Sequence, residues 1–149
     1  MELNDEITIN APMARVYEAL NDPEILKQCI PGCEDLIKHS DSELEAKVVL
    51  KIGPVKARFG GNVELDTSGA PDAFSLTGQG SGGAAGYAKG GADVTLSEAD
   101  GVTTLTYTAK VDIGGKLAQL GSRLIQSTAK KLAGKFFKSF GEVVDSVEA

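Results

Sequence analysis

IGGKLAQLGSRLIQSTAKKLAGKFFKSFGEVV, residues 113–144, decides the fold. It holds no proline, and Leu117, Leu120, Leu124, Leu132, Phe136, Phe140 and Val143 recur in steps of three or four, with one gap at Thr128. That spacing marks one face of an α-helix. Smaller residues, Ala118, Gly121, Ile125, Ala129 and Ala133, run beside it, and Lys116, Gln119, Arg123, Gln126, Lys130, Lys135 and Lys138 take the opposite side. Unbroken, such a helix is about 45 Å long. Gly134 and Gly141 are its expected weak points. A helix of this length needs a partner surface to match, and nothing else in the chain is helical enough. The partner must be a sheet.

The preceding residues supply it. Residues 3–9 alternate around Leu3, Ile7 and Ile9, with Asp5 the exception. Asn10-Ala11-Pro12 reads as a helix start with Asn10 capping, followed by an apolar face of Met13, Val16, Tyr17 and Leu20. Asn21-Asp22-Pro23 breaks that helix and begins a second, faced by Ile25, Leu26 and Cys29, which ends at Ile30-Pro31-Gly32-Cys33. A short strand at Leu36-Ile37 comes next. Then Leu44, Ala46, Val48, Leu50 and Ile52 alternate with charged residues. Beyond the Gly53-Pro54 turn, the same period of two runs through Val55, Ala57, Phe59, Gly61, Val63 and Leu65. It continues in Phe74 to Gly80, in Ala88 to Leu96 and, after the Ala99-Asp100-Gly101 turn, in Leu105 to Ile113. Consecutive alternating runs mean an antiparallel sheet with one dry face. The expected class is α+β: a curved sheet of about seven strands, two short helices after the first strand, and one long C-terminal helix across the dry face.

Length and charge set bounds. The 149 residues fit one domain, residues 1–149, large enough to bury about 68–70% of its unfolded surface. Fifteen Lys and Arg against 21 Asp and Glu leave a net charge of −6, which argues against nucleic acid or an anionic membrane as the main partner but leaves room for a local basic patch. Cys29 and Cys33 read as free intracellular thiols. No signal peptide or membrane span is recognisable, so the expected location is cytoplasmic.

Chemistry is sparse. His39, the one histidine, falls in what reads as a solvated polar turn, Lys38-His39-Ser40-Asp41. A Ser-His-Asp mechanism would need it positioned. The two cysteines lack a second pair for a metal site, so none is expected. Asp41, Glu43 and Glu45 lie on the outer phase of a strand. The glycines between Gly78 and Gly91 precede a strand rather than a helix and carry no Gly-Lys-Ser/Thr, which argues against a phosphate loop. One reading is a hairpin with a sharp sheet bend; in another, inward-facing Gly78, Gly80 and Gly90 leave space beside the helix and so help enclose a pocket. The inward phases carry almost no ionisable residue, so no catalytic residue is assigned and binding is favoured over catalysis.

The expected hydrophobic cavity is lined by Val48, Leu50, Phe59, Val63, Phe74, Leu76, Ala92, Leu105, Tyr107, Ala109, Leu120, Leu124 and Thr128, with Ile30, Pro31 and Gly32 at its mouth. For Phe59 and Tyr107, core packing and cavity lining remain open alternatives. Lys130, Lys131, Lys135 and Lys138 form a candidate docking face against the default of a solvated one. The acidic tail from Glu142 to Ala149 is a poor membrane anchor. A prenyl or acyl chain burying about 300 Å² would gain about 7 kcal/mol before ordering costs, enough to approach micromolar affinity.

Pro12, Val16, Tyr17, Leu20 and Asp22-Pro23 open a recognisable series. It continues with Ile30-Pro31-Gly32-Cys33-Glu34, Gly53-Pro54-Val55, Phe59-Gly60, and Gly114-Gly115-Lys116-Leu117-Ala118 with Gly121. The series resembles the carbon monoxide dehydrogenase G-subunit family of the helix-grip, START-like or Bet v 1-like (SRPBCC) superfamily. The resemblance covers essentially the whole chain and implies a β-α-α-β6-α fold with a cavity under the C-terminal helix. It also implies an accessory protein of molybdenum-containing carbon monoxide dehydrogenases of the xanthine oxidase type. Such a protein would carry a quinone or lipid to the enzyme or recruit the enzyme to the membrane, with transient contact at the inner membrane face and no covalently bound cofactor. Some members bear a C-terminal extension that meets the membrane; with the sequence ending at Ala149, autonomous anchoring is not expected. Two alternatives stand beside this reading: a superfamily enzyme of cyclase or hydrolase type using the same cavity, and a docking or maturation subunit with a filled core.

Overall fold

The computed structural model describes residues 1–148, with side chains through residue 145, so the end of the acidic tail at Ala149 lies outside the described residues. Alternation translates directly into strands: β1 (Glu2–Ile9), β2 (Cys33–Ser40), β3 (Glu43–Ile52), β4 (Val55–Asp66), β5 (Ala73–Ser81), β6 (Tyr87–Ala99) and β7 (Val102–Gly114). All pairs are antiparallel, and the spatial order is β1-β7-β6-β5-β4-β3-β2. Two short helices, α1 (Met13–Leu20) and α2 (Pro23–Cys29), follow β1. The expected α+β architecture is therefore present, with a long helix at the C-terminal end.

Three local expectations change. Asn10 does not cap α1; Pro12 stands at that position without a side-chain hydrogen bond. Asn10 instead donates through Nδ2 to Asp145 Oδ1 at 3.0 Å, which ties the start of the chain to the last helix. The capping carboxylate belongs to α2, where Asp22 Oδ1 accepts from the Glu24 amide at 2.9 Å. His39 is not in a turn. It lies within β2, much longer than the Leu36-Ile37 pair suggests, and its Nε2 sits 2.8 Å from Glu45 Oε1 on β3.

The third change is in the helix. β7 runs through Ile113 to Gly114, so the helical stretch starts later than its periodicity suggests. A single turn, α3 (Lys116–Gln119), comes first, and α4 (Ser122–Glu148) follows it. Gly121, at φ +94°, separates them. This left-handed conformation ends helices and is open to glycine at little cost. Its carbonyl then accepts from the Ile125 amide at 3.2 Å to begin α4. Gly134 and Gly141 stay inside α4, because a helical glycine costs only about 1 kcal/mol and does not break a helix held by packing. The 27 residues of α4 span about 40 Å.

Large side chains fill one end of the sheet–helix interface. Ile9, Val16, Leu96, Leu105, Phe140 and Val144 form the centre of the core. Tyr17 meets Phe74 edge-on at 5.7 Å, and Tyr107 stacks on Phe137 at 5.6 Å. Thr103, buried within this end, donates its hydroxyl to the Ala11 carbonyl at 2.7 Å. The core thus pins the C-terminal half of α4 and leaves the other half over a different part of the sheet.

Candidate functional site

The sheet registers explain why the opposite end is hollow. One row across the inner face reads Phe74, Val94, Tyr107, and the next reads Leu96, Leu105, Ile7. These rows are bulky, and the core sits on them. Toward the β3–β4 tip the rows shrink. One reads Val63, Gly78, Gly90, Val111; the next reads Ala46, Gly61, Gly80, Ala88, Ile113. Where side chains are missing from the floor, the helix cannot close the gap.

The result is a cavity of about 520 Å³ between the sheet, α3 and α4, within the usual size range of small-molecule sites. Its roof is Leu117, Ile125, Thr128, Ala129 and Leu132. Its walls include the expected Val48, Leu50, Phe59, Val63, Leu76, Ala92 and Ala109, together with Ile30 and Pro31.

Six expected residues lie elsewhere. Phe74, Leu105 and Tyr107 face inward but belong to the packed end; alternation gives the face of a strand, not the position along it. Leu120 and Leu124 leave the buried stripe because the break at Gly121 resets the helical phase. Leu124 is 37% exposed, with its Cδ2 over Gly53 at the β3–β4 tip. Gly32 has a backbone role: at φ +74° it turns the chain out of α2, its carbonyl accepts the Val49 amide at 2.9 Å, and a side chain there would collide with the Val49 carbonyl.

Alternation could have supplied the lining residues that were missed on strands, Ala46, Ile52, Ala88, Val111 and Ile113. Ile125 and Ala129 come from the stripe of smaller helical residues, which turns out to face the hollow. Lys130, Lys131, Lys135 and Lys138 are exposed, as a solvated or docking face requires.

The electrostatics of the hollow are bland. Thr128 offers a hydroxyl. Lys89 borders the cavity from an outward-facing position on β6, and Met1 borders it with its ammonium donating to the Val111 carbonyl at 2.9 Å. Burial pushes the Cys29 thiol up, and burial is also the main cause of the rise at Cys33, where a bond to the Asp35 carbonyl and nearby Lys27 partly oppose it. Neither is poised as a thiolate. Burial, with a smaller push from Asp5, raises the Tyr107 phenol. Arg58 holds the Glu34 carboxyl below its usual range through contacts at 2.7 and 3.3 Å, on the exposed side of the sheet. Among the described residues no cluster of three His, Cys, Asp or Glu could hold a metal.

Against this geometry, residues 6–145 match the family model described as the G subunit of carbon monoxide dehydrogenase (CoxG). The chain belongs to the CoxG family. Solved structures agree on the fold. A conserved protein from Geobacillus kaustophilus superposes with a TM-score of 0.91 at 29% identity, over 98% of this chain and 96% of that one. A START superfamily protein from Mycobacterium smegmatis gives 0.71 at 13% identity, over 98% of each chain. The ZhuI aromatase/cyclase from Streptomyces sp. R1128 gives 0.72 at 11% identity, over 97% of this chain and 93% of that one. No curated protein matches the chain. The CoxG fold is thus a START-like sheet and helix, and no described helix of this member is long and apolar enough to cross a membrane.

Proposed function

We propose that this CoxG family member is a single-domain, non-enzymatic carrier of a hydrophobic ligand, a quinone or lipid, serving a molybdenum hydroxylase-type redox enzyme at the membrane. The observation that carries the proposal is the apolar cavity of about 520 Å³, floored by glycine and alanine and roofed by aliphatic side chains. General acid–base or nucleophilic chemistry needs a positioned titratable group. The helix offers Thr128 and the rims offer Asn62, Gln79, Lys89 and Met1, of which only Lys89 and the Met1 ammonium titrate. That inventory supports holding an apolar molecule more than transforming one, even though an aromatase/cyclase shares the fold.

Shape and apolar burial can supply the affinity. About 300 Å² of buried ligand surface is worth about 7 kcal/mol before ordering costs. The test is native mass spectrometry of the protein purified from its own host, followed by solvent extraction and titration with a short-chain quinone. An apolar adduct or saturable quinone uptake is expected. Neither adduct nor uptake would remove the basis of the proposal.

A further inference from the structure

The roof of the cavity holds one polar side chain, and we infer that it selects the cargo. The Thr128 hydroxyl donates to a neutral acceptor oxygen on the guest, so the cavity prefers an apolar molecule with a buried carbonyl over a fatty-acid anion or a bare hydrocarbon. The inference rests on the carrier reading and names the class of ligand and the residue that discriminates it.

Thr128 follows Ile125 by three residues and precedes Leu132 by four, so the three share one face of α4, and all of them line the cavity. Its hydroxyl makes no hydrogen bond to any described residue, whereas the buried Thr103 hydroxyl is committed to the Ala11 carbonyl. Nor is the Thr128 oxygen sealed from solvent, because the one buried side-chain polar atom without a partner among the described residues is Arg15 Nε. Packing alone does not account for a hydroxyl here. Valine has the same shape and a similar helix propensity, and it suits the neighbouring Ile125, Ala129 and Leu132 better. Water in the cavity can hydrate the hydroxyl. A guest that displaces the water strands it, unless the guest brings an acceptor of its own. A site with such a group rejects ligands that lack the matching atom.

The surrounding walls set the charge of the guest. The rows that floor the cavity turn only glycine, alanine, aliphatic side chains and Phe59 inward. Asn62, Gln79 and Lys89 share one outward-facing row and are exposed, and the Met1 ammonium stays at the rim on the Val111 carbonyl. A carboxylate drawn beneath α4 would meet no cation, and an unpaired charge is costly to bury. A carbonyl needs one neutral donor, and Thr128 is the side-chain donor that the roof supplies.

The test is titration of the full chain with three probes: 2-methyl-1,4-naphthoquinone, 2-methylnaphthalene, which has the same carbon skeleton without the oxygens, and dodecanoate. Thr128→Val should weaken binding of the naphthoquinone about tenfold, the scale of one neutral hydrogen bond. It should leave 2-methylnaphthalene bound as before or more tightly, which also shows that the cavity is intact. Thr128→Ser should restore the naphthoquinone affinity. In the infrared spectrum, the carbonyl stretch of the bound naphthoquinone should lie at higher frequency in Thr128→Val than in the wild type. Unchanged naphthoquinone affinity in Thr128→Val overturns the inference and leaves the carrier reading intact. Equal weakening of both naphthalene probes does the same, since it reports a change of shape, and so does dodecanoate bound as tightly as the naphthoquinone. Uptake of none of the probes removes the carrier reading and this inference with it.

Discussion

Gly80→Val should raise stability and weaken ligand binding together. A Cβ at Gly80 would stand 3.6 Å from the Gly60 carbonyl oxygen and 3.8 Å from Gly61 Cα, both ordinary contact distances. Its row, Ala46, Gly61, Gly80, Ala88 and Ile113, faces the cavity, so the isopropyl group would extend into space rather than into backbone. A strand-interior glycine costs about 0.5–1 kcal/mol, and valine is among the best strand residues. The native state should gain about 1 kcal/mol, which raises Tm by about 2–4 °C in a chain of this size. The ligand loses floor. Denying it about 50–100 Å² of contact costs about 1.3–2.5 kcal/mol, or about 10- to 70-fold in Kd. Thermal denaturation by circular dichroism and titration with a short-chain quinone measure the two signs separately. A variant that merely damaged the fold would lower both. Gly90→Val is the contrast: its Cβ would collide with the Lys110 carbonyl and lie 2.8 Å from Val111 Cα, so it should destabilise. Unchanged quinone affinity in Gly80→Val would refute the cavity as the binding site. A fall of several degrees in its Tm would refute the inward placement of Gly80.

Phe140→Ala, at a fully buried position packed on Phe136, should cost about 3–5 kcal/mol, seen as a Tm drop of about 6–20 °C; a smaller drop would mean the core end is not what pins α4. Leu124→Asp should change stability by no more than about 0.5 kcal/mol, because the side chain is already exposed. Urea denaturation showing a loss of several kcal/mol would restore Leu124 to the buried stripe. The raised Cys29 thiol gives a pH prediction. Above about pH 8.5 an unfolded thiol loses its proton while the folded one keeps it, so the folded state binds more protons and stability falls as pH rises. Denaturation midpoints compared at neutral and alkaline pH should show a shallower alkaline fall for Cys29→Val than for the wild type; parallel falls would exclude the thiol as a source.

The strands were legible because their period is local: each alternating run announces its own dry face. What alternation could not give was location along the strand, so Phe74, Leu105 and Tyr107 were expected at the cavity although they face the same side from the packed end. Reading residue size across registered rows would have separated the two ends, but register depends on pairing that no single run contains. The helix break was hidden for a similar reason. Gly121, Gly134 and Gly141 look alike in sequence, and only Gly121 adopts the left-handed backbone that ends one helix and starts another. Leu120 and Leu124 were misplaced with it, while Ile125 and Ala129, assigned to the lesser stripe, face the hollow. His39 read as a turn residue because edge strand β2 carries polar side chains at its end, and its pairing with charged β3 residues is a tertiary fact.

The bare floor at Gly61, Gly78, Gly80 and Gly90 has no rotamers to change. Its contour is fixed by the hydrogen-bonded ladder and is stiff. The opposite surface, Leu117, Ile125 and Leu132, is made of branched side chains that can repack. A guest molecule held there would be gauged by an unyielding plate on one side and a compliant pad on the other. Cargo thickness should be selected at the plate, one methyl group at a time, and variation in outline absorbed by the pad.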